Sequence, residues 1–563
     1  MKLKKTDWLI ILFLFLISLF AVKALFHPGF YTSHDGEHQI IRLNHFIIGL
    51  RDAQFPVRWA GPPAFNGFGY PLFVFTYQLP FYLGAVFNLI GLSLVDATKA
   101  VFILSYILSG IFMYLVQRRI WKSNSAALMG AVFYLWTPWR FSVIFVRASL
   151  GEAVCFLFFP LVLWSIFSLY EKEKMKFLFL GAFSLACLLL SHAMLTFLFL
   201  PFLGALIGFC LWQSKRRKSL FFSYLKLFLL SLGLSAYYWL PAIVEKRQTM
   251  FTNILGNFYL QHFPTLKQLI YSPWGYGFSF PGSELDEMSF QVGIAQWLAV
   301  FLTIFVLVWL GIRKRKQDFS QRLSGFLIIL FAMAVFLMVP ISKPYWQFIS
   351  RFLKIDFPFR HLALTTFFSS LIAGGLIVGL KKDKLLQLLL YPAIIGLLFL
   401  VFYGNRNHLK VNQYLYLPDS YYEEHSSSSS SFDEYRPLWV SGSLPKKDEE
   451  LKVEEGEAVI EAQEIRSNRQ EFRVEVQKKS LLTLNTIYYP GWKLFVNGEK
   501  QKAETVPPAG LMQFSLPTGE YKVIFEFGRT WDRILGEGIA LGTLFFIGYQ
   551  ARRRWKKKKR KRL

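Results

Sequence analysis

The sequence predicts a mostly α-helical, polytopic membrane protein of about twelve transmembrane helices, with a small C-terminal β-sandwich domain outside the membrane. Three observations predict it. Hydrophobic residues make up 54% of the 563 positions and Phe alone supplies 60, too apolar for a chain that stays in water. Long apolar runs alternate with short bursts of Lys and Arg. One stretch towards the C-terminus turns polar, acidic and alternating.

The net charge of +27 would suit a nucleic-acid binder if it lay on one soluble face. Here the basic residues fall between apolar runs, which points to a cytoplasmic charge bias, and no nucleic-acid partner is expected. Cys155, Cys187 and Cys210 each sit inside an apolar run. They read as core filler, with no disulfide framework and no thiolate metal site.

Taken in order, Trp8 to Phe26 has the length of a bilayer crossing and lacks a small-residue cleavage pattern, so it reads as a retained helix. Lys2, Lys4 and Lys5 place the N-terminus in the cytoplasm and the following loop, 27–99, outside. Arg118, Arg119 and Lys122 must then be cytoplasmic, which allows one crossing between the loop and them. The run 100–117 takes that role. The run 71–92 carries Pro71, Gln78, Pro80 and Asn88 and suits an interfacial helix. Further spans are expected near 126–146, 153–170, 177–191, 194–212, 219–241, 293–312, 323–341, 361–380, 385–403 and 533–550. The bursts Lys172/Lys174/Lys176, Lys215 to Lys218, Arg313 to Lys316, Lys381/Lys382/Lys384 and the tail Arg552 to Arg562 then all face the cytoplasm. The tail is read as an anchor beside anionic lipid.

Three regions follow: a transmembrane domain over 1–403, an extracytoplasmic β-rich domain over 404–532, and a last helix with its cytoplasmic tail over 533–563. Within the β-rich region, Ser426 to Ser431 reads as a flexible loop or linker. Phe472, Val474 and Val476 alternate with charged residues, as do Tyr521, Val523, Phe525 and Phe527, and Asn497-Gly498 is a hairpin signal.

Sorting polar residues by membrane face collects them outside. The first outer loop holds His34, Asp35, Glu37, His38, Arg42, Arg51, Arg58 and Trp59; later outer turns hold Arg147 and Glu152, then His192, then Asp356, Arg360 and His361. An ionisable group at membrane depth costs roughly 2.5–3.5 kcal/mol, so each needs a partner or a task. For Arg147 and Glu152 the plain alternative is that they pair with each other. For His192 it is a structural hydrogen bond. A metal site from Asp35, Glu37 and His38 is conceivable, although no dense His or Cys spacing names an ion, and a divalent metal is left open.

The chemistry that suits this set is transfer onto a hydroxyl. Asp35 is the candidate base, and Arg147 and Arg360 are candidates for a phosphate leaving group, since guanidinium binds phosphate bidentately and keeps its charge. Glu37, His38, Arg58, Trp59, His192 and His361 are further candidate substrate contacts. The aromatic run from Phe65 to Tyr82 offers surfaces for a lipid tail or a sugar face.

The order of a first span, an outer loop opening on an acid, an interfacial helix and many later spans resembles the GT-C glycosyltransferases. "SHDGEHQIIRLNHF", "FPVRWAGPPAFNGFGYPLFVFTYQLPFYLG", "VRASLGE", "LLLSHAMLTF" and "FPFRHLAL" resemble the 6-pyruvoyl-tetrahydropterin synthase-related bacterial membrane proteins. "YYPGWKLFVNGEK" with "LPTGEYKVIFEF" is similar to the outer ending of YfhO-type membrane glycosyltransferases. The resemblance implies a sugar transferase working outside the cytoplasm on a polyprenyl-phosphate donor and a glycan or lipid acceptor. It places Asp35 as the first-loop catalytic acid and leaves a second carboxylate to Glu37 or Glu152. Two other classes compete: a flippase for a lipid-linked glycan, which needs polar groups at the midplane or broken repeats, and a non-catalytic envelope-assembly protein whose β-domain binds surface polymer.

Overall fold

The computed structural model describes residues 3–560 except 283, 284, 353, 431 and 443. Lys2, Ser431 and the end of the basic tail at Lys561 and Arg562 therefore lie outside the described residues. The chain forms two compact units. The first comprises Met1–Gly36, Val95–Leu232 and Asn257–Leu417; the second comprises Glu37–Leu94, Gly233–Gly256 and Pro418–Leu563.

Among the described residues, eight helices are long and apolar enough to cross a membrane: Leu94–Trp121, Leu150–Glu171, Ala193–Gln213, Ile294–Ile312, Phe319–Phe336, Pro358–Leu380, Lys384–Gly404 and Trp531–Trp555. Two broken pairs, Asn124–Leu135 with Pro138–Val146 and Arg217–Leu234 with Ala236–Gln248, raise the number to ten. The remaining two expected spans, at 8–26 and 177–191, form helices Lys5–Ala21 and Met175–Ser191 of 17 residues each. At 1.5 Å per residue each reaches about 26 Å, short of a hydrocarbon core of about 30 Å. The run 71–92 folds as Leu72–Phe75 and Leu79–Leu89, both too short to cross.

In the first unit, Pro358–Leu380 and Leu150–Glu171 are central, with 94% and 89% of their apolar stretches buried, whereas Lys384–Gly404 is outer at 22%. The first loop is pinned inside this unit at its start. Strand β1 (Phe30–Tyr31) pairs antiparallel with β2 (Tyr414–Leu415), and the Tyr31 hydroxyl donates to the Ile144 carbonyl at 2.6 Å.

The second unit carries the β-structure: β3 (Leu451–Arg466), β4 (Arg469–Ile487), β5 (Trp492–Val496), β6 (Glu499–Gln501), β7 (Glu504–Val506), β8 (Leu511–Leu516) and β9 (Gly519–Phe527). These strands form one antiparallel sheet in the order β6-β5-β9-β4-β8-β7, with β3 also on β4, rather than the two sheets of a sandwich. The long β3–β4 hairpin explains the difference. Residues 469–476 of β4 pair with β9 and residues 480–487 with β8, and the register breaks of β3 between Val453 and Ala458 let the hairpin bend. The Asn497-Gly498 turn joins β5 to β6 with positive φ at both residues, 50° and 83°, as a tight primed turn requires.

The alternating residues Phe472, Val474, Val476, Val523 and Phe525 fill the core of this unit, joined by Trp59, Phe68 and Val74 from the first loop. The serine run is packed here too. Ser428, Ser429 and Ser430 are buried, Ser426 and Ser427 carbonyls accept the Asn66 and Phe65 amides, and Arg42 Nε donates to the Ser429 carbonyl at 2.7 Å. Small side chains let this backbone lie close to its neighbours, so the described serines form a packed loop rather than a free linker. The last helix is fixed by a bidentate pair: Arg533 Nε and Nη2 each reach a Glu245 carboxylate oxygen at 2.8 Å, with both side chains almost fully buried.

Candidate functional site

Glu152 is the hub of the polar cluster in the first unit. It sits in the first turn of helix Leu150–Glu171, where a carboxylate meets the positive end of the helix. Its side chain is fully buried. Oε1 accepts the Trp139 indole N–H at 2.8 Å, and Oε2 accepts from Arg147 Nη1 at 2.7 Å and Arg360 Nη1 at 3.3 Å.

The local sequence explains why these groups converge. Thr137 is extended, as a residue before proline tends to be, and Pro138 restarts the helix. A five-residue π turn, Ser142–Val146, then delivers Arg147 at its end, and Ala148 turns the chain with φ 48°. Trp139 and Arg147 thus reach Glu152 from the arm preceding its own helix. Arg147 also lies over the Trp139 and Phe359 rings, at 5.4 and 5.7 Å.

Arg360 enters from the 3₁₀ turn Pro358–His361. Its Nε donates to Asp356 Oδ1 at 2.9 Å and Oδ2 at 3.1 Å, and Nη2 also binds Oδ2. Burial alone would raise the Asp356 pKa, but the Arg360 guanidinium overrides it and brings the carboxyl down to about 2. The two arginines and two carboxylates cancel in charge, and each charge has a partner, as buried ions require.

His192 is extended between two helices and caps the second, its Nδ1 accepting the Leu195 amide at 3.2 Å. Burial, then the charge of Arg360, bring its pKa down to about 3, so the ring is neutral. A neutral imidazole accepts at one ring nitrogen only. Its Nε2 lies 3.3 Å from Arg360 Nη1, where the guanidinium is the donor, so the tautomer decides whether the ring accepts from Arg360 or from the Leu195 amide.

The first loop joins this cluster through its backbone. The His34 amide donates to the Val146 carbonyl at 3.0 Å and the Asp35 amide to the Arg147 carbonyl at 2.9 Å. Gly36 permits the turn, since a Cβ there would stand 2.3 Å from both the Phe30 ring and the Ser33 hydroxyl. The His34 ring stacks on Phe278 at 4.4 Å and its Nε2–H donates to the Gly277 carbonyl at 2.8 Å. Burial first, then Arg147, lowers its pKa against the opposing pull of Asp35. Asp35 is half-buried. Among the described residues its carboxylate has no hydrogen-bond donor or ion-pair partner, yet it lies within electrostatic reach of His34 and Arg360.

Asp35, Arg147, Glu152, His192 and Arg360 of the expected set thus belong to one unit and largely to one cluster. His361 shares the unit, but it is buried, its Nδ1–H donates to the Pro358 carbonyl at 2.9 Å, and its ring packs by Trp346. The others lie in the second unit. Glu37 accepts the Tyr421 hydroxyl at 2.7 Å, and His38 is half-buried there. Arg58 is buried and donates to the Tyr237 carbonyl at 2.7 Å and to Glu537 at 3.2 Å. Trp59 is fully buried among Trp492, Phe527 and Tyr489, so its ring offers no face to a sugar. Likewise Phe68 and Val74 of the aromatic run are core rather than ligand surface.

Sequence reasoning gave no role to Trp139 or Asp356. The Asp356–Arg360 spacing of four residues was a legible signal; Trp139 showed none beyond its place after Pro138. Arg140 was missed as well, although it is a buried cation inside an apolar run. Its guanidinium lies over Phe156 at 4.3 Å and Tyr106 at 4.7 Å, and Nη2 donates to Ser109 at 2.9 Å. Among the described residues no group of three or more His, Cys, Asp or Glu is arranged to hold a metal ion.

No family model matches the chain. A protein of Lactococcus lactis subsp. cremoris (strain MG1363), described as uncharacterized, is 24% identical over 339 residues, which are 58% of this chain and 53% of that protein. The chain thus spans about half the length of that relative. The crystal structure of ArnT from Cupriavidus metallidurans bound to undecaprenyl phosphate aligns with a TM-score of 0.33 and 12% identity, over 67% of this chain and 78% of that one.

Proposed function

We propose that the protein is a membrane glycosyltransferase that moves a sugar from a polyprenyl-phosphate donor to a hydroxyl of an extracytoplasmic glycan or lipid acceptor. The observation that carries this reading is the open Asp35 carboxylate, tied by its backbone to Arg147 and lying within the field of Arg360. A carboxylate free to take a proton stands with cations that suit a phosphate. Hydroxyl transfer from a phosphate-linked donor needs that combination.

In the reaction the acceptor oxygen attacks the anomeric carbon as the bond from that carbon to the phosphate oxygen breaks. The phosphate leaves with the bonding electrons, Asp35 takes the hydroxyl proton, and the anomeric configuration inverts. Arg147 and Arg360 already face carboxylates, so the phosphate engages N–H donors not turned towards Glu152 and Asp356. Glu152, with both oxygens taken, is a positioning residue that sets the two guanidiniums. A GT-C-like architecture of about twelve spans, with both termini cytoplasmic and the cluster outside, belongs to the same proposal.

The test is a liposome assay with the full chain and a panel of polyprenyl-phosphate sugars. The reading expects release of free polyprenyl phosphate and a glycosylated acceptor from at least one donor. Movement of intact lipid-linked sugar across the bilayer without cleavage would overturn it in favour of a flippase.

A further inference from the structure

Helix Leu150–Glu171 has Glu152 in its first turn and Glu171 at its end, about 28 Å away at the α-helical rise. At that far end lies a cavity of about 380 Å³, walled by the end of helix Leu94–Trp121 and the segment after Glu171. Six cations line it: Arg118, Arg119, Lys122, Lys172, Lys174 and Lys176. We propose that this cavity binds the phosphate headgroup of an anionic lipid, in the leaflet opposite the proposed transfer site.

The charge in the cavity is not balanced by the protein. Arg119 Nη2 is held by Glu171 at 2.7 Å, and Arg118 Nε is 3.4 Å from Asp7. None of the four lysines has a carboxylate within 4.0 Å among the described residues. Glu173, the other acid of the segment, is engaged elsewhere: it takes Arg216 Nη1 at 2.9 Å and the Ser219 and Ser223 hydroxyls at 2.6 and 2.9 Å. The helix end does not need these lysines either, since Arg216 Nη2 donates to the Tyr170 and Glu171 carbonyls at 2.9 and 3.3 Å. Arg119 and Lys176 both lie 4.9 Å from the Phe177 ring, giving the cavity one apolar wall beside its cationic rim. A concave basic site at the end of a helix of membrane-spanning length, with an apolar wall, matches a lipid phosphate and its glycerol better than a diffuse counter-ion cloud.

The test is native mass spectrometry of the full chain, purified in detergent and offered phosphatidylglycerol or phosphatidylcholine. Wild type should retain phosphatidylglycerol. The Lys172→Gln/Lys174→Gln/Lys176→Gln variant should lose that retention by about 100-fold, as loss of three lysine–lipid attractions implies, with phosphatidylcholine retention unchanged. Lys314→Gln/Arg315→Gln/Lys316→Gln removes the same charge from another basic burst and should retain phosphatidylglycerol as wild type does. Equal loss in both variants would overturn the site in favour of general charge attraction. Displacement of the lipid by excess inorganic phosphate would assign the cavity to a free anion and overturn the lipid source. Unchanged retention in the first variant would remove the site altogether. None of these outcomes bears on the glycosyltransferase reading, which rests on other residues.

Discussion

The amide of Asp35 donates to the carbonyl of Arg147 at 2.9 Å. This is a backbone bond, so it survives side-chain changes at either residue, and each side chain can be tested without unseating the other.

Arg360 serves Asp356, Glu152 and the space beside His192 with one planar fork. Lysine keeps the charge but not the fork. Arg360→Lys is expected to raise the KM for the polyprenyl-phosphate donor by about 10-fold, the loss of roughly one charged hydrogen bond, with a smaller effect on kcat. Steady-state kinetics check this; an unchanged KM would exclude Arg360 as a phosphate ligand.

Removing Glu152 strands two buried guanidiniums. Glu152→Ala should destabilise the chain by about 3–5 kcal/mol, as breaking a buried ion pair does. Glu152→Gln, which keeps the side chain's shape and an acceptor oxygen, should cost less. Thermal unfolding of both variants in the same detergent gives the ranking, and equal melting temperatures would contradict the hub assignment.

His192 makes stability fall on acidification. Its ordinary pKa of 6.5 drops to about 3 in the folded chain, so between those values the unfolded chain binds a proton that the folded chain does not. The loss therefore runs from about pH 6.5 down to pH 3. Asp356, lowered from 3.8 to about 2, withdraws its own stabilisation from about pH 3.8 down to pH 2, overlapping only the acid end of that window. His192→Asn keeps an acceptor for the Leu195 amide and should flatten the melting-temperature profile between pH 6.5 and pH 4 relative to wild type. Superimposable profiles would contradict the buried neutral ring.

Trp59 separates packing from recognition. Trp59→Ala should cost about 3–5 kcal/mol by opening a cavity in the second unit's core, while Trp59→Phe, which keeps most of the ring, should leave the donor KM unchanged. A raised KM in a stable Trp59→Phe protein would return this residue to the substrate.

The long apolar runs and the β-strand alternation were legible because bilayer thickness and the two-residue strand period act directly on sequence. So was the gathering of Asp35, Arg147, Glu152, His192 and Arg360 into one unit, since ionisable groups in apolar surroundings stand out. What sequence could not give was burial. Trp59 and Arg58 occupy the same loop as Asp35 and look equally available, yet long-range packing against Trp492, Phe527 and Glu537 takes them into a core. The serine run failed for the opposite reason: its composition suits a linker, but its carbonyls and small side chains suit close packing equally well.

The central claim is that Asp35 takes the acceptor proton. The most direct measurement is the transfer rate of Asp35→Asn beside its donor affinity, with the full chain in liposomes. The account predicts a kcat lower by at least ~100-fold, the scale of a lost general base, with donor binding and melting temperature close to wild type. A variant that transfers sugar at the wild-type rate would contradict it.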